Sequence, residues 1–257
     1  TNSGVPATGE VMTLRQAMAR SVNTITAFAI MNYVTPEIVV EMAHKMGIES
    51  DLAAVPSIAL GVSDVSLFEM VGAYSTFVNR GVHTVPFYIT KIEDKNGNVI
   101  QAFPTDRTEA INEATAYIML HMLKGTTEEA GGTALGLTRE LRVNHDIAAK
   151  TGTTQNSSDG WFMGMTKDLA AGAWSGGDDR SIHFRNWAMG QGARTAMPIW
   201  DKFMVKVYQD STLNYEGGTF DRPNIPLGVE LDCSLYGSAV EVDSTKAAVV
   251  TQEDIVR

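Results

Sequence analysis

Two short stretches of this 257-residue chain hold residue types that can act together chemically. The first is Ala149-Lys150-Thr151-Gly152-Thr153-Thr154. A lysine, hydroxyls and a glycine at the end of an apolar strand make a small edge that reads an anion. Lys150 brings positive charge, and Thr151 and Thr153 bring hydroxyl donors. Gly152 has no Cβ, so a ligand backbone can lie against the strand. The second stretch is Ser21-Val22-Asn23, just after a helical pattern. Positions i and i+2 of a helix point about 200° apart, so Ser21 and Asn23 converge only if the helix breaks there. Taken singly, each stretch also has a plain reading: a strand ending in a polar turn, and a polar helix face.

Several other chemistries are excluded. His44, His83, His121, His145 and His183 are scattered, with no His-x-x-x-His pair to hold a metal, and the lone Cys233 forms neither an internal disulfide nor a Cys-rich zinc site. There is no phosphate-binding Gly-x-x-x-x-Gly-Lys-Ser/Thr and no dinucleotide fingerprint, so no cofactor is expected. A net charge of −10 argues against a nucleic-acid partner, which needs clustered Lys and Arg. Hydrophobic residues at 44% and charged residues at 19% exclude a disordered chain. The apolar run 27–31 is far short of the roughly 20 residues that span a bilayer.

The elements that must position these residues follow from local signals. Thr13-x-x-Gln16 is a capping box, and Leu14, Met18, Val22 and Ile25 follow at helical spacing. Thr35, Pro36 and Gly47 bracket a second helix, and Ser66 with Glu69 opens a third that ends at Gly81. Residues 87–93 and 99–103 flank Asn96-Gly97 and predict a hairpin. Asn112 caps a helix expected to stop at Gly125. Three strands are predicted at 143–150, 160–166 and 169–175, the last two in an antiparallel meander, followed by a helix at 196–208. Residues 209–257 hold nine acidic and three basic residues, a net −6, and read as a peripheral, loosely packed extension.

The ensemble resembles the transpeptidase domain of class A penicillin-binding proteins. Ser-x-Asn followed by Lys-Thr-Gly-Thr is the motif pair of serine penicillin-recognising enzymes. Gly9-Glu10-Val11-Met12-Thr13-Leu14-Arg15-Gln16-Ala17-Met18 looks like the family's lead-in to Ser21-Val22-Asn23. Ala59-Leu60-Gly61-Val62, Ala73-Tyr74-Ser75-Thr76-Phe77 and Asn79-Arg80-Gly81 are similar too, as are Asp159, Trp161, Phe162 and Gly164 after the lysine motif. Residues 196–204 resemble the closing helix of these domains. The resemblance covers roughly residues 9 to 206.

It implies an α+β fold of the serine β-lactamase/DD-transpeptidase type, an antiparallel sheet flanked by helices, here without its N-terminal strands. It also implies a peptidoglycan DD-transpeptidase that cross-links stem peptides ending in D-Ala-D-Ala through a serine acyl-enzyme and is trapped by β-lactam antibiotics. Within that family reading, Ser21, Asn23 and Lys150 are the catalytic candidates. Thr151, Gly152 and Thr153 are the substrate-binding candidates, with the Thr153 backbone N–H as an oxyanion donor. One departure is plain: no serine in the chain has lysine three residues later, so the nucleophile of the family's Ser-x-x-Lys is not in this chain. Residues 1–208 are therefore expected to be the C-terminal portion of a transpeptidase domain, inactive alone, with 209–257 an acidic extension. The parent is expected to be anchored to the inner membrane, facing the periplasm, among other cell-wall synthesis proteins. A serine β-lactamase and a non-catalytic interaction module are the alternatives. Nitrocefin turnover marks the first, and a real absence of Ser-x-x-Lys upstream marks the second.

Overall fold

The computed structural model describes residues 9–236. Helix α1 (Leu14–Ala19) opens with the expected box: the Thr13 hydroxyl accepts from the Gln16 N–H, and the Gln16 side chain accepts from the Thr13 N–H. It does not run on to Ile25. The chain turns left-handed at Ser21 (φ 54°) and restarts as α2 (Asn23–Asn32), so the single predicted helix is two. The Ser21 N–H donates to Met18 O (3.1 Å) and the Val22 N–H to Ala17 O (3.0 Å), the paired bonds that close a helix end on a left-handed residue. After α3 (Pro36–Lys45), α4 (Leu67–Val78) starts on a full Ser66–Glu69 box.

The hairpin forms as β2 (Lys91–Glu93) with β3 (Val99–Ala102), but β2 is shorter than the predicted 87–93. Strands β1 (Val82–Thr84) and β4 (Arg107–Glu109) make a second small pair. Helix α5 (Glu113–Glu128) passes straight through Gly125. A Cβ there would sit 3.1 Å from Arg15 Cγ and 3.3 Å from Ala19 Cβ, so this glycine marks where α1 crosses α5 closely and not a helix stop. The predicted strand 143–150 is also corrected. Its first part belongs to α6 (Arg139–Asn144), and β5 spans only Ala148–Thr153.

Strands β5, β6 (Asp159–Met165) and β7 (Ala170–Gly176) form an antiparallel sheet in that order. Successive residues of a strand face opposite ways, and the two cores show it. Ala149, Phe162 and Ala173 pack with Leu137, Leu141, Trp200 and Met204 on the side of α8 (Met197–Gln209); the short helix α7 (Trp187–Gly190) precedes it. Ala148 and Met165 pack with Leu120 and Leu123 of α5 on the other side. The fold is an antiparallel sheet with helices on both faces, as the sequence led us to expect.

Beyond α8 the chain runs without helix or strand until residue 233, yet part of it is docked. The Asp146 N–H donates to Gly218 O (2.8 Å), and the Phe220 N–H donates to Asp146 Oδ2 (2.9 Å). The Phe220 ring is buried against Leu120, Leu123 and Met165. Phe220→Ala is expected to destabilise the chain by about 3 kcal/mol, the usual cost of emptying an aromatic site. Urea denaturation checks this, and a loss below about 0.5 kcal/mol would show that residues 209–222 do not belong to the cooperative unit.

Candidate active site

The lysine motif occupies β5, whose ladder sets Lys150 opposite Met163, Thr151 opposite Phe162, Gly152 opposite Trp161 and Thr153 opposite Gly160. β5 is an edge strand, so among the described residues its second edge has no strand partner. That edge is where an extended ligand backbone can pair. The missing Cβ of Gly152 instead makes room on the sheet face for its cross-strand partner, since a Cβ there would sit 3.0 Å from Trp161 Cβ.

Lys150 Nζ donates to Ser21 Oγ at 2.8 Å and to Thr151 O at 2.9 Å. The two motifs, separated by 129 residues in sequence, therefore meet through one hydrogen bond. Burial holds the Lys150 ammonium well below the usual lysine range, at about 8, because desolvation penalises the charged form. A lysine in this state gives up and regains a proton near neutral pH, which an exposed lysine does not.

The break at Ser21 removes the opposed orientation that an unbroken helix would impose on residues 21 and 23. Asn23 opens α2 immediately beyond it. A serine in the left-handed region costs on the order of 1 kcal/mol, and the surroundings hold it there. Arg15 on α1 pairs with Glu128 and Glu129 at the end of α5, and its Nε donates to His121 O (3.0 Å). The Thr133 N–H donates to Ala19 O (3.0 Å), and Arg20 Nε donates to Ala130 O (3.1 Å). These contacts pin the last turn of α1, and with it Ser21, in front of β5. Arg15 stands in the lead-in motif, but nothing in the sequence pointed to its partners.

Thr153 is exposed, and its hydroxyl oxygen accepts from the Gly192 N–H at 3.0 Å. A hydroxyl has one proton, so with a lone pair engaged by Gly192 the proton is left for an acceptor in solution, such as a carboxylate. Sequence reasoning missed Gly192, because a backbone N–H carries no sequence signal. After the motif, the Asp159 N–H donates to Thr154 Oγ1 (3.0 Å) and the Thr154 N–H to Asp159 O (3.1 Å), closing the 154–159 loop at the rim. Among the described residues no three His, Cys, Asp or Glu side chains gather as a metal cluster would.

The arrangement combines a lysine of lowered pKa, a serine hydroxyl bonded to it, a strand edge with no strand partner among the described residues, and an exposed threonine. It suits carboxylate recognition beside a proton relay. Residues 1–172 match the penicillin binding protein transpeptidase domain model. Penicillin-binding protein 1A of Aquifex aeolicus is 32% identical over 212 residues, 82% of this chain and 27% of that protein. The structure of penicillin-binding protein 1A from Haemophilus influenzae shares the fold with a TM-score of 0.68 at 22% identity, covering 86% of this chain and 39% of that one. The structure of the PonA1 protein from Mycobacterium tuberculosis in complex with penicillin V does so with a TM-score of 0.65 at 24% identity, covering 86% of this chain and 62% of that one. The chain thus spans about a quarter of that curated relative's length, and it belongs to the penicillin-binding protein transpeptidase family.

Proposed function

We propose that this segment supplies the carboxylate-binding edge and the proton relay of a peptidoglycan DD-transpeptidase, whose serine nucleophile comes from a Ser-x-x-Lys outside residues 1–257. The observation that carries the reading is the 2.8 Å hydrogen bond from Lys150 to Ser21. The substrate is a stem peptide ending in D-Ala-D-Ala, lying along the open edge of β5. Its terminal carboxylate accepts from the Thr151 and Thr153 hydroxyls in the positive field of Lys150. The Thr153 backbone N–H donates to the developing oxyanion. As the acyl bond to the nucleophile forms and the amide breaks, Ser21 protonates the departing D-Ala amine and is itself reprotonated from Lys150 Nζ. Asn23 holds the substrate amide. The relative captured with penicillin V supports binding of β-lactams, which present a carboxylate beside a strained amide.

Among the described residues no helix is long and apolar enough to cross a membrane. The anchoring of the parent at the inner membrane, its periplasmic face and its cell-wall partners belong to this proposal, as does the division into 1–208 and 209–257.

Titration of the chain with an N-acylated D-Ala-D-Ala peptide, read by NMR, tests the reading. We expect shifts at Lys150, Thr151 and Thr153 that the L-Ala-L-Ala peptide does not cause. Thr153→Val is expected to weaken binding about 10-fold, the value of one hydrogen bond to a charged group. Equal response to both peptides, or none at millimolar concentration, sinks the proposal. Incubated with fluorescent penicillin, residues 1–257 are expected to remain unlabelled, because a β-lactam anchored by its carboxylate sets Ser21 beside the leaving nitrogen. A covalent penicillin adduct on Ser21 would overturn its assignment as relay.

A further inference from the structure

We propose that Ser21 and Lys150 are also a serine–lysine nucleophile pair in their own right, able to react with small, uncharged, activated acyl or phosphonyl compounds that carry no carboxylate. This goes beyond the reading above, where Ser21 only passes a proton, and it starts from the geometry of the pair. Ser21 Oγ lies 2.8 Å from Lys150 Nζ, within reach for direct proton transfer. The serine is partly exposed, on a left-handed turn between two helices. The turn sets the Ser21 oxygen against the Lys150 amine. The ten-residue helix α2 begins two residues later, and its dipole favours negative charge on that oxygen.

The base is supplied by the surroundings of Lys150, where desolvation makes the neutral amine accessible near pH 8. The charged side chains on and beside α1 and α5 are paired elsewhere. Arg15 pairs with Glu128 and Glu129, Arg20 with Glu10, and Lys124 with Glu128 and Asp146. Helix α2 carries no charged residue, and Asp159 on β6 stands four residues from Met163, the partner of Lys150. With a phosphonofluoridate, the Ser21 oxygen attacks phosphorus as its proton passes to the neutral Lys150 amine. The O–P bond forms, the P–F bond breaks, fluoride leaves, and the resulting ammonium releases its proton to solvent. An anchored β-lactam cannot follow this route, because its carboxylate fixes its position. An uncharged electrophile approaches the serine unrestrained.

Incubation of residues 1–257 with a fluorophosphonate probe from pH 6.5 to 9.5, with the adduct located by tandem mass spectrometry, tests the pair. We expect the adduct on Ser21, with a rate rising about 30-fold across that range as Lys150 loses its proton near 8. Lys150→Arg keeps a charged donor but does not deprotonate, so labelling should fall at least 10-fold while circular dichroism stays unchanged. Should that variant misfold, the adduct position and pH profile of the unaltered chain decide by themselves. No adduct at pH 9.5, an adduct elsewhere, or a rate independent of pH overturns the proposal. None of these outcomes touches the D-Ala-D-Ala titration, so the two readings fail separately.

Discussion

Replacing Lys150 with methionine is expected to slow penicillin acylation about 10³-fold in a polypeptide that joins this segment to its Ser-x-x-Lys serine, while making the fold more stable. The loss follows from the proposed roles. Methionine keeps the apolar stem but removes the charge beside the substrate carboxylate and the proton source bonded to Ser21. The gain follows from burial. The ammonium falls from 10.5 to about 8 on folding, which disfavours the folded state by up to about 3 kcal/mol below pH 8. The hydrogen bonds to Ser21 and Thr151 O offset part of this, at about 1 kcal/mol each, so the net gain at pH 7 is about 1 kcal/mol. The sign with pH is fixed. Between about 8 and 10.5 the unfolded chain holds more protons than the folded one, so wild-type stability rises with pH across that window. The advantage of Lys150→Met should therefore shrink as pH rises through it. Urea denaturation of both chains at pH 7 and pH 10.5 measures this. An advantage constant with pH would show that the buried charge is not its source.

Trp200→Ala is expected to cost about 4 kcal/mol and to loosen the strand that carries the lysine motif. Trp200 is 1% exposed; its ring packs at 5.2 Å on Phe162, and its Nε1 donates to Ala171 O at 3.2 Å. Phe162 is the cross-strand partner of Thr151, so the empty volume would lie directly under the site. Thermal melts give the stability. Amide exchange at residues 148–153 gives the local effect, and it should quicken more than exchange in α4. Uniform quickening would mean that Trp200 supports the whole fold and not β5 in particular. Trp200→Phe should recover part of the loss, since it keeps an aromatic ring against Phe162 while losing the indole hydrogen bond and part of the buried volume.

What could be read from the sequence was what neighbouring residues decide. The capping boxes at Thr13 and Ser66 form because donor and acceptor are three residues apart. The hairpin turns where expected because its chemistry is local, although the reversal runs over 94–97, with the Gly97 N–H donating to Asp94 O and Gly97 alone left-handed, and not as a two-residue Asn96-Gly97 turn; β5 ends in its polar motif for the same local reason. The misreadings share a cause. Apolar spacing continues through Ile25, and period alone does not separate one helix from two abutting helices. The break at Ser21 depends on contacts to Ala130 and Thr133, more than a hundred residues away. Gly125 reads as a stop by propensity, and tertiary packing overrides propensity where a second helix must come close. Val143 invites a strand, but residues 139–144 coil into a helix beneath the sheet.

The sequence by itself determined the family and the six candidate residues, because the motif residues are recognised by type and spacing. Only the tertiary structure decided that Lys150 touches Ser21, that the lysine is desolvated enough to titrate near 8, and that Gly192 engages the Thr153 hydroxyl. Proton affinity and hydrogen-bond direction depend on distance and solvent exclusion. Folding sets both by bringing residues together that the chain keeps far apart.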